Sequence, residues 1–308
     1  MSDIFIRRDV DGSRRHLRAL LAWGIAAVAI LLIGAGALHL RRQIWAAQEP
    51  EVAAEAKPAT SGPMSVPPPP MPADPSTALL NEGRALKEAG RFLEARAKLF
   101  EALAVASSDV SKRAIEELLG ALHIALVFSP HPMEEKVDYV VQRGDSLARI
   151  AARFGTTVDL IQRSHNITDP NRIRIGTLLR ILQGRFFVQV SKSRNELELR
   201  LNDRFFKRYR VGTGKYNLTP TGRTKIVSRE KHPTWWRPDG TSLPYGHPEN
   251  VLGTHWLGLE MRGYGIHGTW EPQTIGRYES AGCIRLLNED IEELYTLLPV
   301  GVEVWIED

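Results

Sequence analysis

Gly263–Leu287 reads GYGIHGTWEPQTIGRYESAGCIRLL and holds the chain's single cysteine, Cys283, sixteen positions after His267. A thiolate is a strong nucleophile at neutral pH and needs a base beside it. A lone cysteine can also be a small buried hydrophobe, so the neighbours decide between the two readings. Tyr264-Gly265-Ile266-His267 alternates as a half-buried strand does, with Gly268 free to turn the chain at its end. Cys283 and Arg285 alternate with Ile284 and Leu286. An extended segment therefore turns the two isoleucine-like side chains to the core and sets a guanidinium beside the thiol on the other face. A neighbouring cation favours the thiolate. Gly282 permits a positive φ just before the nucleophile, and backbone N–H groups there are candidates for an oxyanion hole.

These residues resemble the catalytic motif of the L,D-transpeptidases, cysteine enzymes that cross-link peptidoglycan. The match runs through His267-Gly268-Thr269, Ser280, and Gly282-Cys283-Ile284-Arg285-Leu286. Upstream it includes Val211-Gly212-Thr213, Thr219-Pro220-Thr221-Gly222, Pro233-Thr234-Trp235 and Leu252-Gly253, so it covers most of residues 185–308. Many members carry a second histidine where this chain has Ala281. The resemblance implies Cys283 as nucleophile, His267 as base, and Arg285, Ser280 and Gly282 as further catalytic-site residues. Arg285 would steady the thiolate or grip a substrate carboxylate. Ser280 would fix the loop or hydrogen-bond the site. Gly268, Thr269, Trp235 and Trp236 are candidate substrate contacts; the two tryptophans read equally well as core or as a stacking wall.

The implied reaction is acyl transfer through a thioester, releasing D-alanine from a tetrapeptide stem. An amine from a second stem or from a lipoprotein lysine would resolve the intermediate. Two alternatives stand beside it: a carboxypeptidase of the same site, in which water replaces the amine, and a non-catalytic envelope protein that binds peptidoglycan. No cofactor is called for. His247, His255 and His267 fit no standard zinc spacing, so no metal is expected.

The fold class expected is multidomain. Residues 1–42 contain seven arginines and three aspartates, and the rest of the chain balances 33 basic against 33 acidic side chains (40 less 7, 36 less 3). The excess thus belongs to one end, and bulk attraction to nucleic acid is excluded. Ala19–Leu40 is an apolar run long enough to cross a bilayer as a helix. Five arginines precede it and two follow, so the positive-inside rule leaves residues 1–18 in the cytoplasm and the remainder in the periplasm or cell wall. A cleaved signal peptide is the alternative, and the length of the run favours a single-pass anchor in the inner membrane. Residues 43–75, rich in proline and alanine, read as an extended linker.

Residues 76–130 read as three helices, the first two resembling one tetratricopeptide unit. They are a spacer or cap packed on its neighbours, or a surface for a protein partner. Residues 137–182 follow a β-α-α-β order. Leu147, Ile150, Ala151 and Phe154 mark one helix face, and Gly155 closes it. This unit resembles the lysin motif (LysM), which binds glycan strands of peptidoglycan. Gly144, Asp145, Ser146, Leu147, Asn171 and Ile173 map to its sugar groove, although Gly144 and Asp145 also suit turn formation and capping. Residues 185–308 show short alternating strands with one late helix, Glu289–Leu298, for which Asn288 is the expected N-cap. The pattern implies an all-β sandwich or barrel, and the resemblance implies a mainly-β sandwich around the catalytic cysteine.

Overall fold

The computed structural model describes residues 74–237 and 239–308. The basic segment 1–18, the anchor 19–40 and nearly all of the linker 43–75 lie outside the described residues. Among the described residues no helix is long and apolar enough to cross a membrane.

Three helices come first: α1 (Ser76–Glu88), α2 (Phe92–Val105) and α3 (Asp109–Val127). Gly90, at φ +73, makes the turn between α1 and α2. Ser108 caps α3 by accepting from the Ser111 N–H. The LysM-like unit follows, with β1 (Lys136–Val140), α4 (Leu147–Phe154), α5 (Val158–His165) and β2 (Leu178–Leu182). Strands β1 and β2 pair antiparallel, closing a small core of Val141, Leu147, Ile150, Ile161 and Ile181. Ser146 caps α4 through the Arg149 N–H, and left-handed Gly155 ends it. The return strand β2 begins only at Leu178, because Asn171–Thr177 is spent on turns and irregular backbone.

The C-terminal part contains β3 (Phe186–Ser191), β4 (Glu196–Leu201), β5 (Arg204–Arg210), β6 (Thr213–Gly214), β7 (Gly222–Lys231), β8 (Trp235–Trp236), β9 (Ser242–Leu243), β10 (His255–Leu259), β11 (Gly265–His267), β12 (Tyr278–Ser280), β13 (Ile284–Arg285), α6 (Asn288–Leu297) and β14 (Glu303–Glu307). Mainly β it is, but the strands do not divide into two equal layers. Eight form one mixed sheet in the order β13-β11-β10-β7-β14-β3-β4-β5, while β6/β12 and β8/β9 are small separate pairs. The sequence pattern marks the longer strands; it misses the short β8, β9 and β12 and does not show which strands neighbour one another.

The modules share a core. Helix α3 lies on β5, where the His123 ring stacks on Phe206 at 4.9 Å and donates from Nδ1 to the Phe206 carbonyl at 2.7 Å. Arg96 of α2 donates to His123 Nε2 (3.0 Å) and forms a buried ion pair with Glu135, just before β1. Residues 76–130 thus spend an apolar helix face on the sheet, as a packed cap does. Helix α5 meets α6 through the Thr157 hydroxyl, which donates to the Thr296 carbonyl, and Asp159 pairs with Arg229 and Lys231 of β7.

Candidate active site

The site grows from one register. Strands β11 and β13 run parallel, with Ile266 opposite Ile284 and His267 opposite Arg285. Paired residues of a parallel ladder point to the same face, and residues two apart along a strand share it. Ile266, Ile284 and Leu286 are buried on the core side, with no residue above 1% exposed. The opposite face therefore carries His267, Arg285 and the half-buried Cys283 just before β13. The sulfur is not sealed in apolar packing; it donates weakly to the Gly263 carbonyl at 3.8 Å.

His267 is buried, and its Nδ1 lies 2.6 Å from the carbonyl of Gly268. A carbonyl only accepts, so Nδ1 carries the hydrogen and Nε2 keeps its lone pair. The imidazole also stacks against Trp256 of β10, at 5.7 Å and an interplanar angle of 22°. The indole can lie there because position 265 is glycine. A Cβ on Gly265 would come within 2.4 Å of the ring. The orienting carbonyl has its own support. A Cβ on Gly268 would lie 2.2 Å from Asn288 Oδ1, and the Asn288 side chain accepts from the Thr254 N–H at 3.2 Å. The expected N-cap role of Asn288 is thereby corrected. Leu287 occupies the cap position without a side-chain hydrogen bond, and the Asn288 amide is drawn instead to the backbone crossing beneath His267.

The nucleophile turn is held from two sides. Ser280 is buried; its Oγ accepts from the Gly282 N–H (3.0 Å) and donates to the Cys283 carbonyl (2.6 Å). Of the two roles open to Ser280, the geometry is that of a loop clamp. Thr219 accepts from the Gly214 N–H at 2.7 Å and donates to the Gly282 carbonyl at 2.9 Å. Gly282 takes φ +125, and a Cβ there would strike the Tyr264 ring at 2.7 Å. Its N–H is engaged by Ser280, whereas the Cys283 N–H has no partner among the described residues.

Electrostatics outweigh the cation's expected help to the thiolate. Burial pushes the Cys283 thiol up, against the opposing pull of a backbone contact from Gly265 and of the Arg285 charge. Burial also holds the His267 imidazole down at about 4; the Gly268 hydrogen bond works against this and Arg285 adds to it. Desolvation outweighs the guanidinium, so the resting pair is a neutral thiol and a neutral imidazole. Arg285 itself is largely buried and reaches Glu271 at 3.3 Å.

The remaining candidates lie around this centre or away from it. Thr269 is buried, and its Oγ1 accepts from the Glu271 N–H. Trp235 and Trp236 form β8 of an outlying hairpin. Trp236 is 72% exposed, which rules out the core reading for it, and Arg237 lies over Trp235 at 4.9 Å. In the LysM-like unit, Gly144 has φ +89, Ser146 is the helix cap, and Asp145 accepts from the Gln142 N–H and the Tyr139 hydroxyl. Leu147 is a core side chain, Asn171 is exposed, and Ile173 packs at the core's edge. Trp256, Thr219 and Glu271 escaped the sequence reading as site residues; the one available sign was the Thr219-Pro220-Thr221-Gly222 turn.

A family model for the L,D-transpeptidase catalytic domain (YkuD) matches residues 185–306, and one for the LysM domain matches residues 139–182. The putative L,D-transpeptidase YkuD of Bacillus subtilis is 36% identical over 174 residues, covering 54% of this chain and 97% of its own. The putative L,D-transpeptidase YqjB of the same organism is 35% identical over 133 residues, 41% of this chain and 74% of its own. The probable L,D-transpeptidase YcfS of Escherichia coli is 29% identical over 196 residues, 56% of this chain and 61% of its own.

Proposed function

The chain belongs to the L,D-transpeptidase family, and from that premise we propose that it cross-links peptidoglycan through a thioester on Cys283. His267 Nε2 takes the thiol proton as the sulfur attacks the carbonyl between the L-centre of diaminopimelate and the terminal D-alanine. The free Cys283 N–H holds the developing oxyanion. The imidazolium returns its proton to the departing amine, and D-alanine leaves. An amine from a second stem then attacks the thioester, and His267 again relays the proton, restoring the thiol. The observation that carries this reading is the His267 tautomer: Nδ1 is committed to Gly268, which leaves Nε2 as the base on the face shared with Cys283. A neutral resting pair fits general-base activation during attack rather than a preformed ion pair.

The LysM domain brings the glycan strand, through the turn Gly144–Ser146 and the loop around Asn171 and Ile173. Residues 19–40 anchor the chain in the cytoplasmic membrane with the enzyme outside; the apolar run and the arginine bias support that placement. Purified tetrapeptide stems test the reaction. The native chain releases D-alanine and, given an acceptor amine, forms dimers, whereas Cys283→Ala does neither. Release by the variant at the native rate would refute the thioester.

A further inference from the structure

Arg285 follows the nucleophile by two positions and leaves the sheet on the same face. Its side chain is 13% exposed, yet among the described residues its only carboxylate contact is a single one, from Nη1 to Glu271 Oε2 at 3.3 Å. The Nε–H is buried and has no acceptor among the described residues. A guanidinium presents N–H groups in a planar fork that suits a carboxylate bound through two oxygens. Here the Nε edge of that fork is left without an acceptor among the described residues.

Glu271 is fixed in its backbone and loose in its side chain. Its N–H donates to Thr269 Oγ1 (3.1 Å), and its carbonyl accepts from the Thr274 N–H (3.0 Å) and hydroxyl (2.8 Å). The carboxylate is 54% exposed. Swinging it away needs only rotation about side-chain bonds, and the pair is open to water on the Glu271 side.

We propose that Arg285 is the centre of a carboxylate subsite beside Cys283 and that Glu271 is its built-in occupant, displaced when an anionic acyl donor arrives. The inference rests on the reading of Cys283 as nucleophile and names the donor chemistry of that site. The incoming carboxylate takes the Nε–Nη edge that Glu271 leaves unused. Glu271 therefore weakens donor binding, and its loss strengthens it.

The test uses the full chain and two thiol reagents of nearly equal size, iodoacetate and iodoacetamide, acting on the single cysteine. In Glu271→Gln the ratio of iodoacetate to iodoacetamide rates rises about threefold, as loss of a competing exposed pair implies. The gain disappears in Glu271→Gln/Arg285→Gln, because the two residues act as one unit. Glu279→Gln removes an equal charge from the neighbouring strand, where Glu279 pairs with Arg277, and leaves the ratio unchanged. An unchanged ratio in Glu271→Gln overturns the proposal. So does a gain that survives without Arg285, or an equal gain in Glu279→Gln, since either marks a diffuse field effect. Alkylation needs no transpeptidation, so failure of the native chain on stems would count against the reaction and leave this result standing.

Discussion

His267 donates its Nδ1 hydrogen to the carbonyl of the very next residue, Gly268, at 2.6 Å. A backbone atom thus does the orienting that a carboxylate side chain does in many catalytic triads. It fixes the tautomer without placing a negative charge beside the imidazole, consistent with the ring's low proton affinity.

Gly268→Ala should cripple turnover more than stability. The added methyl meets Asn288 Oδ1 and displaces the orienting carbonyl. We expect kcat to fall about 100-fold, as for a misplaced catalytic group, with a stability loss of about 1–3 kcal/mol. Asn288→Ala in the same chain removes the struck atom and should restore part of the activity. Steady-state kinetics with thermal melts on both variants check this.

Alkylation of Cys283 by iodoacetamide should climb steadily from pH 6 to beyond 9. A thiol pushed up by burial holds little thiolate near neutrality, so no plateau between pH 5 and 7 is expected. A plateau there would reveal a thiolate–imidazolium pair and contradict the neutral resting state.

Stability should fall as the solution is acidified through the histidine window. The His267 imidazole is held at about 4 when folded, against 6.5 for the free side chain. Between those values the unfolded chain binds more protons, so stability rises with pH from about 4 to 6.5 and is lost on the way down. The buried His123, also at about 4, adds to the same slope. Melting temperature against pH should show a shallower slope for His267→Asn than for the native chain.

Ser280→Ala should cost about 1–3 kcal/mol, because it leaves the Gly282 N–H unpaired in a buried turn. If Ser280 acts only as a clamp, the variant keeps a titrating thiol with the native pH profile while kcat drops. A shifted alkylation profile would instead point to direct contact with the sulfur.

Arg96→Leu tests whether residues 76–130 are structurally part of the enzyme. It strands Glu135 without its buried partner and removes a hydrogen bond to His123. Breaking one side of such a pair costs about 3–5 kcal/mol. The expected result is a lower single melting transition that includes the catalytic sheet; a separate early transition would mean that the helices unfold alone.

Much of the site could be read before any coordinates, for a local reason. Alternation of Cys283 and Arg285 with Ile284 and Leu286 already assigns faces, and the four apolar positions of α4 mark a helix. What escaped depends on partners distant in the chain. Nothing near Trp256 announces that Gly265 will leave room for its ring, and nothing near Thr219 points to the Gly282 carbonyl. Asn288 suits a helix cap by local preference, and a tertiary crossing claims its amide instead. Arg285 does favour the thiolate as expected, but sequence shows the cation beside the cysteine and hides the larger cost of burial. Strand order is likewise a long-range fact, which is why a sandwich was expected and an eight-stranded mixed sheet with two small pairs beside it is found.

Thr157 and Asp159 of the LysM domain are fastened to α6 and β7, the helix just after the nucleophile strand and a strand of its sheet. The stride from sugar grip to sulfur is therefore a constant of the fold and not the reach of a tether. An enzyme so built would sample a glycan strand at fixed intervals, and the spacing of stems along it would help choose which ones are joined.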